Sequence, residues 1–96
     1  MPKVETASAA ADLQTRLRKI LGHNQVSVKP YGDHLLIQMV GEDKSDTVAR
    51  LTKLDRSTYS AAFRNGSGRW EPLPGTGSSQ EMAELVTTLL EPYLQL

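Results

Sequence analysis

The two ends of the chain carry apolar residues at intervals of three and four positions, the spacing that places them on one face of an α-helix. In the first stretch, residues 6–21, the apolar positions are Ala10, Leu13, Leu17, Ile20 and Leu21. In the second stretch they are Met82, Leu85, Val86, Leu89, Leu90 and Tyr93. A Ser78-x-x-Glu81 capping box precedes the second stretch, and Pro92 is expected to end or kink it. The sequence therefore predicts a helix at each end.

Between these stretches apolar and polar residues alternate, which is the pattern of β-strands that bury one face. The predicted strands cover residues 25–31, 34–40, 47–54, 58–64 and, as a short fifth strand, 69–71. Residues 32–33 and 55–57 have turn chemistry, and Asn65-Gly66 is the strongest short-range signal for a hairpin. Because every connection is short, strands that follow each other should pair, and we expect an antiparallel meander.

Two helices that each carry one apolar stripe can share the apolar face of such a sheet. The predicted fold class is therefore α+β: a two-layer sandwich in the order helix, four- or five-stranded antiparallel meander, helix, with both helices on one sheet face. We expect a single domain over residues 1–96, in which residues 1–5 form a frayed end.

Strand parity predicts which sheet residues face the helices. The expected covered residues are Val26, Val28, Leu35, Ile37, Met39, Tyr59, Ala61, Phe63 and Trp70. Large aromatic residues at strand positions that face helices are usually part of the core. We therefore expect Trp70 to pack against the closing helix, near Leu85 or Leu89.

The face assignment of the third strand, residues 47–54, stays open. Val48 and Leu54 share one parity, whereas Ala49 and Leu51 share the other. A β-bulge would reconcile the two assignments, and so would partial cover on both faces of the sheet.

The opposite sheet face is expected to remain uncovered, and it is the candidate interaction surface. Its residues are Lys29, Leu36, Gln38, Val40, Arg50, Ala62, Arg64 and Arg69. The apolar members of this set, Leu36, Val40 and Ala62, would form a centre that favours contact with a protein. The cationic members would form a positive rim around that centre. Parity assigns Glu71 to the same face.

The net charge of the chain is uninformative about a partner, but the distribution of charge along the chain is not. Eleven acidic residues balance eleven basic ones among the 96 residues, so no bulk attraction to a polyanion is expected. Residues 47–70 nevertheless hold five bases against one acid, whereas residues 71–96 hold four acids and no base. Such blocks arise from pairing across the fold or from a solvated surface, and they also arise at a phosphate- or carboxylate-binding patch or an oligomer interface.

Candidate chemistry is sparse. The chain has no cysteine, which fits a reducing, cytoplasmic location, and no apolar run suited to a signal peptide or membrane span. His23 follows Gly22, where it can cap helix carbonyls, and His34 points away from the adjacent Asp33 in a strand. The Gly-rich residues 74–79 lack P-loop spacing. We expect no catalytic, cofactor or metal residues, and therefore no enzyme.

These observations favour a small non-catalytic protein-interaction or regulatory module that self-associates or binds a protein through the uncovered face. The alternative is nucleic-acid or other anion binding through the basic patch, although Tyr31 is the only aromatic residue assigned to that face. A small enzyme is the remaining alternative. The sequence leaves open the partner, the oligomeric state, and whether the basic segment is functional or only solvated.

Overall fold

The structure, a computed structural model, describes residues 2–41, 45–65 and 67–94, and the side chains of residues 2–7 and Tyr93 lie outside this description. The elements in chain order are α1 Pro2–Leu21, β1 Val26–Tyr31, β2 His34–Val40, β3 Ser45–Lys53, β4 Tyr59–Arg64, β5 Trp70–Gly77, α2 Ser79–Leu89 and α3 Glu91–Leu94. The strands form one antiparallel sheet in the order β1-β2-β3-β4-β5. This arrangement confirms the predicted α+β class and the meander.

Helix α1 follows the predicted stripe for most of its length. Ala10, Leu13 and Leu17 are buried, and Leu21 packs against the core, but Ile20 is 48% exposed. The helix stops where the sequence predicts, since Gly22 has φ 76° and its N–H donates to the Arg18 carbonyl at 2.9 Å.

Helix α2 begins with the predicted capping box. The Glu81 N–H donates to Ser78 Oγ at 3.2 Å, and the Ser78 N–H donates to Glu81 Oε1 at 3.0 Å. The helix ends at Leu89, and the short helix α3 follows, with Pro92 as its second residue. Proline fits there because the first turn of a helix has no internal acceptor for that N–H. Leu94 of α3 is fully buried, so α3 contributes a side chain to the core.

Both helices pack on the same face of the sheet. The buried core comprises Ala10, Leu13 and Leu17 of α1; Val26, Val28, Leu35, Ile37, Ala49, Leu51, Tyr59 and Ala61 of the sheet; and Met82, Ala83, Val86, Leu90 and Leu94. Met39 and Phe63, also predicted to be covered, are half-buried against it. Two predicted stripe positions are looser: Leu85 is half-buried, and Leu89 is 46% exposed.

A β-bulge settles which residues of the third strand face the helices. Ile37 pairs with Ala49, but Gln38 pairs with Thr47, so Val48 is the additional residue. Val48 is half-buried and packs against the core beside Ala49. After the bulge the alternation is regular, which buries Leu51 and places Arg50 on the opposite face.

The prediction for Trp70 was wrong, and the reason is the length of the loop before it. A two-residue turn at Asn65-Gly66 would pair Trp70 with Ala61, on the covered face. Instead, Arg64 pairs with Trp70, and residues 65–69 form the loop. This longer loop reverses the facing of β5. Gly66 lies outside the described residues.

The Asn65 side chain holds this longer loop in place. Its Oδ1 accepts the Ser67 N–H at 2.9 Å and the Arg69 N–H at 3.0 Å. Glu71 is corrected together with Trp70, because it pairs with Phe63 and takes the parity of the helix-covered face. Its carboxylate remains exposed and accepts Asn65 Nδ2–H at 2.8 Å.

Candidate interaction face

The sheet face opposite the helices, called the open face below, is organised around one row of residues that crosses all five strands. Consecutive cross-strand partners in this row are Lys29, Leu36, Arg50, Ala62 and Pro72. Lys29 and Pro72 are exposed at the two ends, whereas the residues between them are half-buried. Several residues predicted from strand parity are therefore direct neighbours.

The other predicted surface residues lie around this row. Gln38 belongs to the next row, where its Nε2–H donates to Thr47 Oγ1 at 3.1 Å. Val40, at the end of β2, is 39% exposed. Arg64 is exposed on β4, and Arg69 is exposed in the loop that follows, so Arg69 lies beside the face rather than on a strand.

Arg50 and Trp70 make the most specific contact on the open face. The Arg50 Cζ lies 4.5 Å from the centroid of the Trp70 ring, which is the geometry of a cation–π interaction. Ala62 lies on β4, between β3, which carries Arg50, and β5, which carries Trp70. Its small side chain leaves room for the Arg50 side chain to extend across β4. Sequence reasoning missed Trp70 because only the loop length assigns its face.

The Arg50 guanidinium is held by this stacking more than by hydrogen bonds. Its Nε is buried and has no hydrogen-bond acceptor among the described residues. A buried donor without an acceptor carries a free-energy cost, which the stacking with the ring partly offsets. The fold therefore keeps a half-buried guanidinium and a half-buried indole together on a surface that faces away from the core.

Trp70→Ala is expected to lower the free energy of unfolding by only about 1–2 kcal/mol, the sum of a cation–π contact and partial burial. The matched comparison is Tyr59→Ala, which removes a ring that is 7% exposed and is expected to cost about 3 kcal/mol or more. Urea denaturation of both variants measures the difference. Equal losses would contradict the placement of Trp70 on the open face.

Both edges of the sheet carry features that hinder strand addition. At β1, Gln14 Oε1 accepts the Val28 N–H at 3.0 Å, and Arg18 Nε–H donates to the Val26 carbonyl at 2.9 Å. Outward-pointing groups alternate along an edge strand, so Pro30 occupies the next outward position and has no N–H. At the other edge, β5 contains Pro72 and Pro74.

The histidines have structural contacts. His23 Nδ1 accepts the Gln25 N–H at 3.1 Å, so its Nε2–H is the donor to the Leu94 carbonyl, at 2.7 Å. This contact ties α3 to the start of β1. His34 lies on the open face, where its Nδ1 is 2.9 Å from Thr52 Oγ1. No group of three or more metal-ligating side chains occurs in the part of the chain that the structure describes.

A polar groove of about 820 Å³ lies away from the open face, between α1, the β3–β4 connection and the start of α2. It includes the N-terminus of α2, to which the Gly-rich residues 74–79 lead. In the connection, the Ser57 backbone N–H and the Thr58 side chain donate to the Asp55 carboxylate and hold its pKa below the ordinary value. The hydroxyl of Ser78 accepts the Glu81 N–H in the capping box, so Ser78 has a structural explanation.

No helix in the described residues is long and apolar enough to cross a membrane. Comparisons with protein-family models, curated proteins and solved structures found no match for this chain. The class that the fold and the site define is a two-layer α+β domain whose antiparallel sheet has one face covered by helices and the other open.

Proposed function

We propose that this protein is a small non-catalytic interaction module that binds a protein partner through its open face. The observation that carries the proposal is the Arg50–Trp70 pair, which stacks at 4.5 Å on the side of the sheet away from the core. Tryptophan and arginine are the residues most enriched among those that dominate binding energy at protein interfaces. Leu36 and Ala62 flank Arg50 in its row and supply adjacent apolar area.

The edges of the sheet support the same proposal. Gln14 and Arg18 occupy one outward N–H and one outward C=O of β1, and Pro30 has no N–H, so a partner strand finds fewer groups to pair with there. A binding partner would instead lie flat on the open face. The cysteine-free sequence is compatible with a cytoplasmic setting for such a module.

Site-specific photo-cross-linking in the native host tests the proposal. Lys29, exposed in the central row, and Lys19, exposed on α1, are each replaced by a photoreactive residue, so both variants lose one positive charge. We expect protein adducts from position 29 that position 19 does not give, and their loss when Trp70→Ala is added. Identical adduct patterns from the two positions would contradict the proposal.

Single-stranded nucleic acid is the second candidate, and the placement of Trp70 is what favours it. An indole ring beside Arg50 and Arg64 provides a stacking group next to cations, as single-strand-binding surfaces do. In the same cross-linking experiment, this function would give nucleic-acid adducts from position 29 in place of protein adducts.

A further inference from the structure

The open face is cationic, and its positive charge is not neutralised within the described part of the fold. The ion pair found among the described residues is Arg16 with Asp12, on α1. Lys29, Arg64 and Arg69 have no such partner there. Glu71, the acid nearest in sequence, has the parity of the opposite face and bonds to Asn65. A partner that supplies carboxylates would therefore find these cations uncompensated.

We infer that the partner of the open face is an acidic amphipathic helix of another protein. This inference rests on the proposed function and names the chemistry of its partner. Charge complementarity carries it: the cations lie at Lys29 toward one end of the central row and at Arg50 and Arg64 toward the other, with apolar Leu36 and Ala62 on the strands between. An occupant must place carboxylates at the two ends and apolar side chains between them.

The dimensions of the row fit a helix. Strands are about 4.8 Å apart, so Lys29 on β1 and Arg64 on β4 are separated by about 14.4 Å across the sheet. The Arg50 guanidinium reaches over β4 toward the same end as Arg64, where it stacks on the Trp70 ring. Residues i and i+11 of a helix are about 16.5 Å apart along its axis and lie on nearly the same side. Acidic side chains at i and i+11 can therefore face Lys29 and Arg64, while apolar residues at i+4 and i+7 face Leu36 and Ala62.

The dimensions of the face accommodate a helical segment. Four strand spacings and six residues of strand length give a face of about 19 by 20 Å. A single helix, about 10 Å across, fits within these dimensions.

A second copy of this chain is a poor occupant of the open face. Two open faces packed against each other would bring their cations together, and juxtaposed like charges disfavour association. Single-stranded nucleic acid is also less well matched. The two aromatic residues of the face, Tyr31 and Trp70, lie on β1 and β5, about 19 Å apart, which is too far for neighbouring bases to stack on both.

The test uses Trp70, the only tryptophan, as a fluorescent reporter on the face itself. The probe is a synthetic Ala/Gln-based helical peptide with Glu at i and i+11 and Leu at i+4 and i+7. A peptide of the same composition in scrambled order and a mixed-sequence single-stranded oligonucleotide are titrated in parallel. Two variants are compared: Lys29→Gln/Arg64→Gln/Arg69→Gln on or beside the open face, and Arg16→Gln/Lys19→Gln/Arg56→Gln elsewhere. Each removes three positive charges, so their net charges are equal.

The patterned peptide is expected to change the Trp70 emission of the wild-type and control proteins. Its binding to the open-face variant should be about tenfold weaker, since each exposed ion pair contributes modestly. Raising the salt from about 10 mM to 150 mM should weaken binding, because the screening length falls from about 30 Å to 8 Å. Equal weakening in both variants, or equal binding of the scrambled peptide, would overturn the inference.

The remaining outcomes separate this inference from the proposed function. If the oligonucleotide binds in a manner that depends on the open-face cations and the peptide does not, the acidic-helix inference is wrong and the second candidate function is favoured. If neither probe binds but position 29 still gives specific protein adducts, the inference fails while the interaction function stands. If neither probe binds and no specific adduct forms, both fail.

Discussion

Ile37→Ala is expected to lower the free energy of unfolding by about 2–5 kcal/mol, a large share of the stability of a domain of this size. Ile37 is fully buried, and it lies in the row that contains Val28 and Ala49, under the two helices. Alanine would remove most of the side chain and leave a cavity that neighbouring residues fill only in part. Chemical denaturation followed by far-ultraviolet circular dichroism measures the loss.

Leu36→Ala provides the matched control, because Leu36 is the preceding residue of the same strand and points to the open face. It is half-buried, and its truncation is expected to cost less than about 1 kcal/mol. A difference of this size between adjacent positions follows directly from a sheet with one covered face. Similar losses at the two positions would mean that the open face is covered as well.

The second large effect is expected at the β1 edge. Gln14→Ala combined with Arg18→Ala removes the acceptor of the Val28 N–H and the donor to the Val26 carbonyl. A net loss of about 2–4 kcal/mol is expected, because one of the two contacts involves a charged donor and both backbone groups are part-buried. Hydrogen exchange provides the sharper measurement. The Val28 amide should lose its protection, whereas the amides of β2 and β3 that bond to neighbouring strands should keep theirs.

Arg16→Ala combined with Lys19→Ala is the control for this edge prediction, since both residues lie on the same helix. Arg16 makes exposed contacts with Asp12 and Gln80, and the pair of substitutions is expected to cost less than about 1 kcal/mol. The edge variant is also expected to associate at high concentration, because an uncovered edge strand can pair with another chain. Unchanged protection of the Val28 amide would contradict the role given to Gln14.

Of the candidate surface, the residues on strands with regular alternation were predictable from the sequence. Lys29, Leu36 and Ala62 follow from parity alone, because the side-chain period of a strand is local. The face of Arg50 could be assigned only once the β-bulge at Val48 was known. That bulge is set by the packing of β3 between β2 and β4, which the sequence of β3 alone does not give. Trp70 was not predictable, since β5 begins with it and has no preceding alternation from which to read its face.

The sequence by itself determined the kind and order of α1, the five strands and α2, the stop at Gly22, the capping box at Ser78, and the break near Pro92, but not the separate helix α3 or the extension of β5 to Gly77. Each depends on residues within a few positions of one another, so local conformational preferences suffice. The tertiary structure alone decided how strands are aligned and what covers their edges. The reach of Gln14 to Val28 depends on α1 packing beside β1, so it forms only when the core has brought these two elements together. The register Arg64↔Trp70 depends on which of two possible loop lengths the hairpin adopts, and the longer loop places the expected core tryptophan on the open face.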